Sequence, residues 1–287
     1  MGVKLAYNSY GKSEVRVVKL IKHKTYHEFR EVTVDVLLEG DFEVAHTKGD
    51  NQGVLPTDTV KNTIFILAKD HLTDTIEDFG LFVAEYFLNK NAQVSKVFVE
   101  LYENHWTRIP VKNAKTKRTT QHPHAYMGGT LEKSTCLVEH TTEETIVTSG
   151  IEDLCILKTT NSGFSKFYKD DYTTLKDAAD RIFSTRLACN WSYNSNKIDF
   201  AKQRKNIREA ILSSFADHKS KSVQHTLFAM GKAALKSCKY IPEIFISMPN
   251  VHNLLVNFEP FGLENNNEIF IGTSDPYGQI EAVVSRD

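Results

Sequence analysis

Two hydrophobic periods alternate along this chain. A period of two comes first: Val15 to Ile21 is strand-like, and Val32, Val34, Val36 and Leu38 alternate with Thr33, Asp35 and Leu37. A polar turn at His23 to Tyr26 separates the two runs, which predicts an antiparallel hairpin. A Gly/Asn/Pro-rich loop (Gly49, Asn51, Gly53, Pro56) then leads into Pro56-Thr57-Asp58-Thr59-Val60-Lys61-Asn62-Thr63, which opens a helix from about Asp58 to Ala68. Thr57 or Asp58 can serve as its N-cap. A second helix begins near Thr75, with Asp78 as its capping-box partner. Its apolar stripe is Ile76, Phe79, Val83 and Tyr86, widened by Phe82 and Phe87, and reads as core. Val97, Val99 and Leu101 restore the period of two. A charged loop at Lys112 to Arg118 precedes another extended region, from about Ala125 to His140.

The same order of elements recurs. Leu154, Ile156 and Lys158 form an extended segment that leads to Thr159-Thr160-Asn161-Ser162-Gly163-Phe164. A short capped turn at Tyr172-Thr173-Thr174-Leu175 follows. Phe183, Thr185, Leu187, Cys189, Trp191 and Tyr193 then alternate with polar or small residues, the pattern of a half-buried antiparallel strand. Helical spacing returns at Phe200, Ile207, Ile211 and Phe215, and again after Ser222 at Val223, Leu227, Met230 and Ala234. Ile244, Ile246 and Met248 form a strand up to Pro249-Asn250, and His252, Leu254, Val256 and Phe258 share the next parity. A strand at about Glu268 to Thr273 precedes a turn, Ser274 to Gly278, and a final run, Ile280 to Val284. The expectation is an α+β protein of two similar antiparallel halves, residues 1–140 and 141–287. Open sheet edges invite closure by self-association.

Composition narrows the function classes. The chain has 287 residues, 41% hydrophobic and 25% charged, enough for proper cores. A net charge of −1 gives no global field for nucleic acid or anionic membrane. No apolar run approaches the roughly 20 residues of a bilayer span. The first ten residues lack a signal-peptide core, and the end, Val284-Ser285-Arg286-Asp287, is not a Ser-Lys-Leu type peroxisomal address. Cys136, Cys155, Cys189 and Cys238 are widely spaced and read as reduced thiols of an intracellular protein. Gln121-His122-Pro123-His124 is the nearest approach to a metal motif and reads as a loop, with no metal expected.

The candidate chemistry is dispersed. A helix start has spare N–H groups and partial positive charge, so Thr57-Asp58 and Ser222-Val223-Gln224 could each hold an anion. Either stretch taken alone is more commonly just a capped helix. Phe164 lies in a glycine-containing loop that can expose an aromatic face. Arg181 precedes a strand and offers a planar fork suited to a flat anion. Asn250 and His252 follow Pro249 at a strand break, and a lone histidine such as His252 is usually a satisfied core residue. Lys12, after Tyr10-Gly11, is by default a solvated lysine.

Taken together these segments resemble the urate oxidase (uricase) family along nearly the whole chain. The resemblance rests on Tyr10-Gly11-Lys12, Gly49-Asp50-Asn51, the stretch Pro56 to Thr63, Leu157 to Phe164, Tyr172 to Leu175, Asp180 to Thr185, Ser222-Val223-Gln224, Pro249-Asn250-Val251-His252 and Pro276-Tyr277-Gly278, all in one order. It implies two tandem tunnelling-fold (T-fold) domains, each with antiparallel strands and paired helices. These assemble into a β-barrel tunnel in a homotetramer with active sites between subunits. It further implies conversion of urate, O2 and water, without cofactor, to 5-hydroxyisourate and hydrogen peroxide, with O2 as the oxidant. In family terms Phe164 stacks on the purine, Arg181 grips one edge, and Gln224 with the Val223 backbone grips the other. Thr57 and Asp58 come from a neighbouring subunit, Asn250 lies over the ring where dioxygen or water sits, and Lys12, Thr57 and His252 relay protons. The compartment would be cytoplasmic in a bacterium or peroxisomal in a eukaryote, and neither nucleic acid nor membrane is a partner. The competing expectation is a purine- or pterin-binding T-fold oligomer without turnover.

Overall fold

The structure is a computed structural model that describes every residue except Met1, Lys115 and Ser274. Lys115, in the expected charged loop, and Ser274, at the start of the expected last turn, thus lie outside the described residues. The chain forms two compact units. Unit 1 comprises Met1–Gly150 with Ser192–Ala201, and unit 2 comprises Ile151–Trp191 with Lys202–Asp287.

In unit 1, β1 (Tyr10–Lys22) and β2 (His27–Gly40) form the expected hairpin, with Val17 opposite Val32 and Val15 opposite Val34. These side chains and Val36 and Leu38 are buried, because alternation puts them all on one face. A short helix, α1 (Glu43–Lys48), follows. It buries no side chain, so no apolar stripe announced it. The next helix, α2 (Thr57–His71), starts one residue earlier than its pattern suggests. Its N-cap is Pro56, so Thr57 and Asp58 are first-turn residues rather than caps. In α3 (Ile76–Lys90) the capping box forms as expected, with Thr75 Oγ1 accepting from the Asp78 N–H at 3.1 Å. Ile76, Phe79, Val83 and Phe87 are buried, whereas Tyr86 is half-buried.

Strands β3 (Val94–Lys112) and β4 (Thr119–Thr141) extend the sheet antiparallel beyond β2. Gln121-His122-Pro123-His124 is therefore part of a strand, not a loop. Pro123 lacks an N–H and fits there because the β3–β4 register breaks between Arg108 and Pro110. Helix α2 packs on β1, and α3 packs on β3 and β4. β5 (Thr145–Lys158) begins in unit 1 and ends in unit 2.

In unit 2 the alternation of β6 (Phe183–Ser192) holds: Phe183, Thr185, Leu187, Cys189 and Trp191 are buried and their neighbours are not. The helices are α4 (Phe200–Asp217) and α5 (Val223–Ser237), each with the buried stripe its spacing predicts. β7 (Glu243–Ser247) pairs antiparallel with β6 on one side and with β11 (Glu281–Ser285) on the other. Helix α5 packs on β7 and β11. Its Gly231 sits so close that an added Cβ would lie 2.5 Å from a Val284 methyl, as one on Gly80 of α3 would lie 2.8 Å from Leu101. Each unit thus brings one helix onto its sheet through a glycine.

The strand break expected at Pro249 is present, but the segment beyond it is not one run of shared parity over His252 to Phe258. It breaks into β8 (Asn250–Val251) and β9 (Asn253–Leu255), and a 3-10 turn follows at Glu259–Phe261. Leu254 is exposed, so His252 and Leu254 do not share a buried face. The physical cause is a change of partner. β8 pairs with β6, whereas β9 pairs with β10 (Phe270–Gly272) in a separate two-stranded sheet. The four cysteines are free, and Cys155 alone among them is exposed.

Candidate active site

The candidate residues fall into one group per unit. In unit 1, the Tyr10 hydroxyl accepts the Leu55 N–H at 2.9 Å, and its ring meets Phe42 edge-on at 4.7 Å. This contact ties the loop before α2 to the start of β1. Lys12 is two residues along that strand, and its charge reaches Asp58 at the helix start. The Asp58 carboxyl lies below the ordinary carboxylate range, first because Lys61 donates to it, then through the charge of Lys61, with smaller help from Asn62 and Lys12. A bulge follows Lys12, where Glu14 takes φ +58° and its N–H meets Asp35 Oδ1 at 2.6 Å.

The start of α2, like that of α1, lacks a side-chain cap. Its first intrahelical bond runs from the Val60 N–H to the Pro56 carbonyl at 3.1 Å. Thr57 and Asp58 are exposed. First-turn N–H groups and the positive end of the helix dipole therefore face outward without a capping oxygen.

In unit 2 the backbone does the assembling. The segment Asn161 to Phe164 runs between two others. On one side Phe164 and Ala178 exchange both backbone bonds at 2.8 Å, and the Arg181 N–H bonds the Ser162 carbonyl at 2.7 Å. On the other side the Gly163 N–H bonds the Ser220 carbonyl and the Ser220 N–H bonds the Asn161 carbonyl, both at 2.9 Å. Asp180 reinforces the first side, accepting from Thr160 at 2.6 Å and from the Ser162 N–H at 3.0 Å. The Thr160 bond is the main reason its carboxyl stays below the usual range. Gly163 is required by this closeness, since an added Cβ would lie 2.8 Å from the Ala179 carbonyl oxygen.

These bonds bring Phe164, Arg181 and the start of α5 together. The Arg181 guanidinium lies 5.4 Å from the Phe164 ring centroid, and Phe167 stacks on that ring at 4.8 Å and 8°. Burial pulls the Arg181 pKa down, and its Nε–H is buried without a hydrogen-bond partner among the described residues. A planar cation held so awaits an acceptor. At α5, Ser222 Oγ accepts the His225 N–H at 3.1 Å, which leaves the Val223 and Gln224 N–H groups in the first turn. Val223 is buried and Gln224 exposed.

Asn250 joins through β8, opposite Thr185 of β6 on one side and Gly278 on the other. His252 is half-buried just beyond, and its carbonyl accepts from the Thr273 N–H at 3.0 Å and from the Thr273 hydroxyl at 3.1 Å. Ser220 and Ala178 went unread in the sequence because they act through backbone bonds, which leave no residue-type signature, and Asp180, whose carboxylate holds Thr160 and the Ser162 N–H, was read only as part of the segment Asp180 to Thr185. Among the described residues no group of three or more His, Cys, Asp or Glu is placed to hold a metal ion.

The family model described as Uricase matches residues 8–139 and 147–281. The chain belongs to the uricase family. It is 38% identical to a uricase of Arthrobacter globiformis over 99% of this chain and 91% of that one. It is 34% identical to a uricase of Oryctolagus cuniculus over 99% and 95%. A crystal structure of uricase from Arthrobacter globiformis matches at a TM-score of 0.92 and 37% identity, covering 100% of this chain and 96% of that one. The expected tandem T-fold architecture of the uricase family is thereby met, and the monomer leaves its sheet open. Among the described residues β1 pairs with β2 alone.

Proposed function

We propose that this uricase-family chain converts urate, O2 and water to 5-hydroxyisourate and hydrogen peroxide, without a cofactor, in purine degradation. The observation that carries the site assignment is Arg181: a guanidinium drawn out of water, beside an aromatic face, with a buried donor and no protein acceptor. Urate is a flat anion with hydrogen-bonding atoms around its rim. It fits a stacking ring at Phe164, a fork at Arg181, and the Gln224 amide with the Val223 N–H on the opposite edge. Thr57 and Asp58 would complete the rim from a neighbouring subunit of a homotetramer, where the uncapped start of α2 supplies N–H donors.

Lys12, Thr57 and His252 then act as the proton relay, and Asn250 holds dioxygen or water over the ring. Urate gives up two electrons and its protons to O2, and water adds to the oxidised ring at the face Asn250 covers. Chain residues supply orientation and proton transfer. The reaction belongs inside the cell, in the cytoplasm of a bacterium or the peroxisome of a eukaryote.

The test is to add urate and oxygen to purified protein in the presence of chelator. The expected result is loss of the urate ultraviolet band with one O2 consumed and one peroxide formed per urate. Tight urate binding with no oxygen uptake by the assembled protein would instead mark a purine-binding oligomer.

A further inference from the structure

The strand pairing around Asn250 shows a residue that the candidate set omits. Thr185 and Asn250 are directly opposite each other in the β6–β8 ladder. Opposed residues in an antiparallel pair project to the same face with Cβ atoms about 5 Å apart. On its other side Asn250 faces Gly278, which has no side chain; even a Cβ built there would stand 3.7 Å from that of Asn250. Thr185 is therefore the side chain that flanks the Asn250 carboxamide within the ladder.

Thr185 is 2% exposed, and its hydroxyl is buried without a hydrogen-bond partner among the described residues. That is costly, and no other buried position on this face of β6 carries a hydroxyl: Phe183, Leu187, Cys189 and Trp191 fill them. Valine has the same shape and would suit a buried strand position better by packing alone. A hydroxyl in that place is explained if it has a partner when the site works. The group within reach is the carboxamide opposite, a short side-chain rotation or one bridging water away.

We infer that Thr185 is a positioning residue for the reaction: its hydroxyl fixes the orientation of the Asn250 carboxamide over the substrate ring. The inference rests on the proposed role of Asn250. A carboxamide can present either its oxygen or its NH2 to the ring face, and these two ends treat dioxygen and water differently. Thr185 can accept from the NH2 and so turn the oxygen toward a fixed side. Its loss would leave substrate binding intact and slow the step that uses O2 or water.

The experiment is a double-mutant cycle with Thr185→Val, Thr185→Ser, Asn250→Ala and the Val/Ala double variant. Each is measured for kcat, for oxygen KM, for urate affinity without oxygen and for melting temperature. Thr185→Val is expected to lower kcat roughly tenfold, the scale of one oriented hydrogen bond. Anaerobic urate affinity should stay within about twofold and melting temperature should be unchanged or higher, since a buried unpaired hydroxyl is removed. Thr185→Ser is expected to restore most of the rate. The double variant should be no slower than Asn250→Ala alone.

If Asn250→Ala keeps full turnover, the site reading fails and takes this inference with it. If Asn250→Ala is slow but Thr185→Val is within twofold of the parent, or if the two losses multiply, the site reading stands and the Thr185 inference is overturned. A Thr185→Val loss that appears in urate affinity or in melting temperature rather than in kcat overturns it as well.

Discussion

Helices α2 and α5 begin alike in sequence, each after a polar loop, and differ in what meets their first turn. At α5 the Ser222 hydroxyl takes one N–H, and the Ser220 backbone anchors the entry to the loop that carries Phe164. At α2 the N-cap is Pro56, which has no side-chain oxygen, and the entry is anchored at a distance by Tyr10 holding Leu55. The first start is built into a finished surface with an aromatic ring and a guanidinium. The second is an outward-facing row of donors with exposed Thr57 and Asp58. The difference teaches that capping and ligand binding compete for the same N–H groups. Where the cap is left out, the helix start is free to receive something else.

The largest expected effect tests the finished side. Arg181→Ala should lower kcat/KM for urate roughly a thousandfold, since it removes two or more charge-assisted hydrogen bonds. Arg181→Lys should recover little of that, because an ammonium cannot reproduce the planar fork. Steady-state kinetics with oxygen uptake decides it. Substantial activity in Arg181→Lys would mean that charge alone matters.

A middle-sized effect tests the contrast between the two starts. Ser222→Ala should destabilise the protein by about 1 kcal/mol, the usual value of a lost cap. Pro56→Ser should do the reverse, adding a cap and raising the melting temperature, while weakening urate affinity severalfold because the new hydroxyl occupies a donor. Thermal melts and urate titrations report both. A Pro56→Ser variant with a higher melting temperature and unchanged affinity would show that the donors of α2 are not used.

The smallest effect concerns the neighbourhood of α5. His218 Nε2 lies 3.1 Å from His225 Nδ1, and burial, the His225 charge and Lys158 hold the His218 pKa below its ordinary value. The unfolded state then binds the proton more readily, so this contribution is fully present above about pH 6.5 and is lost as pH falls through the folded-state pKa. Melting temperature should drop from pH 7.5 to 5.5, and the drop should be shallower in His218→Asn.

The legible and illegible parts of this protein divide along physical lines. Strands such as β2 and β6 and the long helices announced themselves because one face of each is buried, and burial writes a period into the side chains. The short helix α1 buries nothing and left no signal. Pro123 suggested a loop, but a register break gave it room inside β4. The run His252 to Phe258 has strand parity, yet pairing passes from β6 at Asn250-Val251 to β10 at Asn253 to Leu255, and no local pattern encodes a change of partner. The site follows the same rule. The side chains that would touch a ligand were readable as types and through the family resemblance. Ser220 and Ala178, which hold them in place, work through backbone geometry, Asp180 does so through a carboxylate whose partners only the fold brings near, and Thr185 looked like any β-branched strand residue.

The central claim is that the α2 start and the Arg181 surface are halves of one site supplied by different subunits. Coassembly of a Thr57→Ala chain with an Arg181→Ala chain tests it most directly, with the Thr57→Ala/Arg181→Ala double variant as control. Random mixing of two inactive chains should give about a quarter of the sites with both groups intact, and activity on urate should rise to that fraction of the parent. Activity no greater than the sum of the separate variants, in assemblies shown to be mixed, would contradict the account and place both halves in one chain.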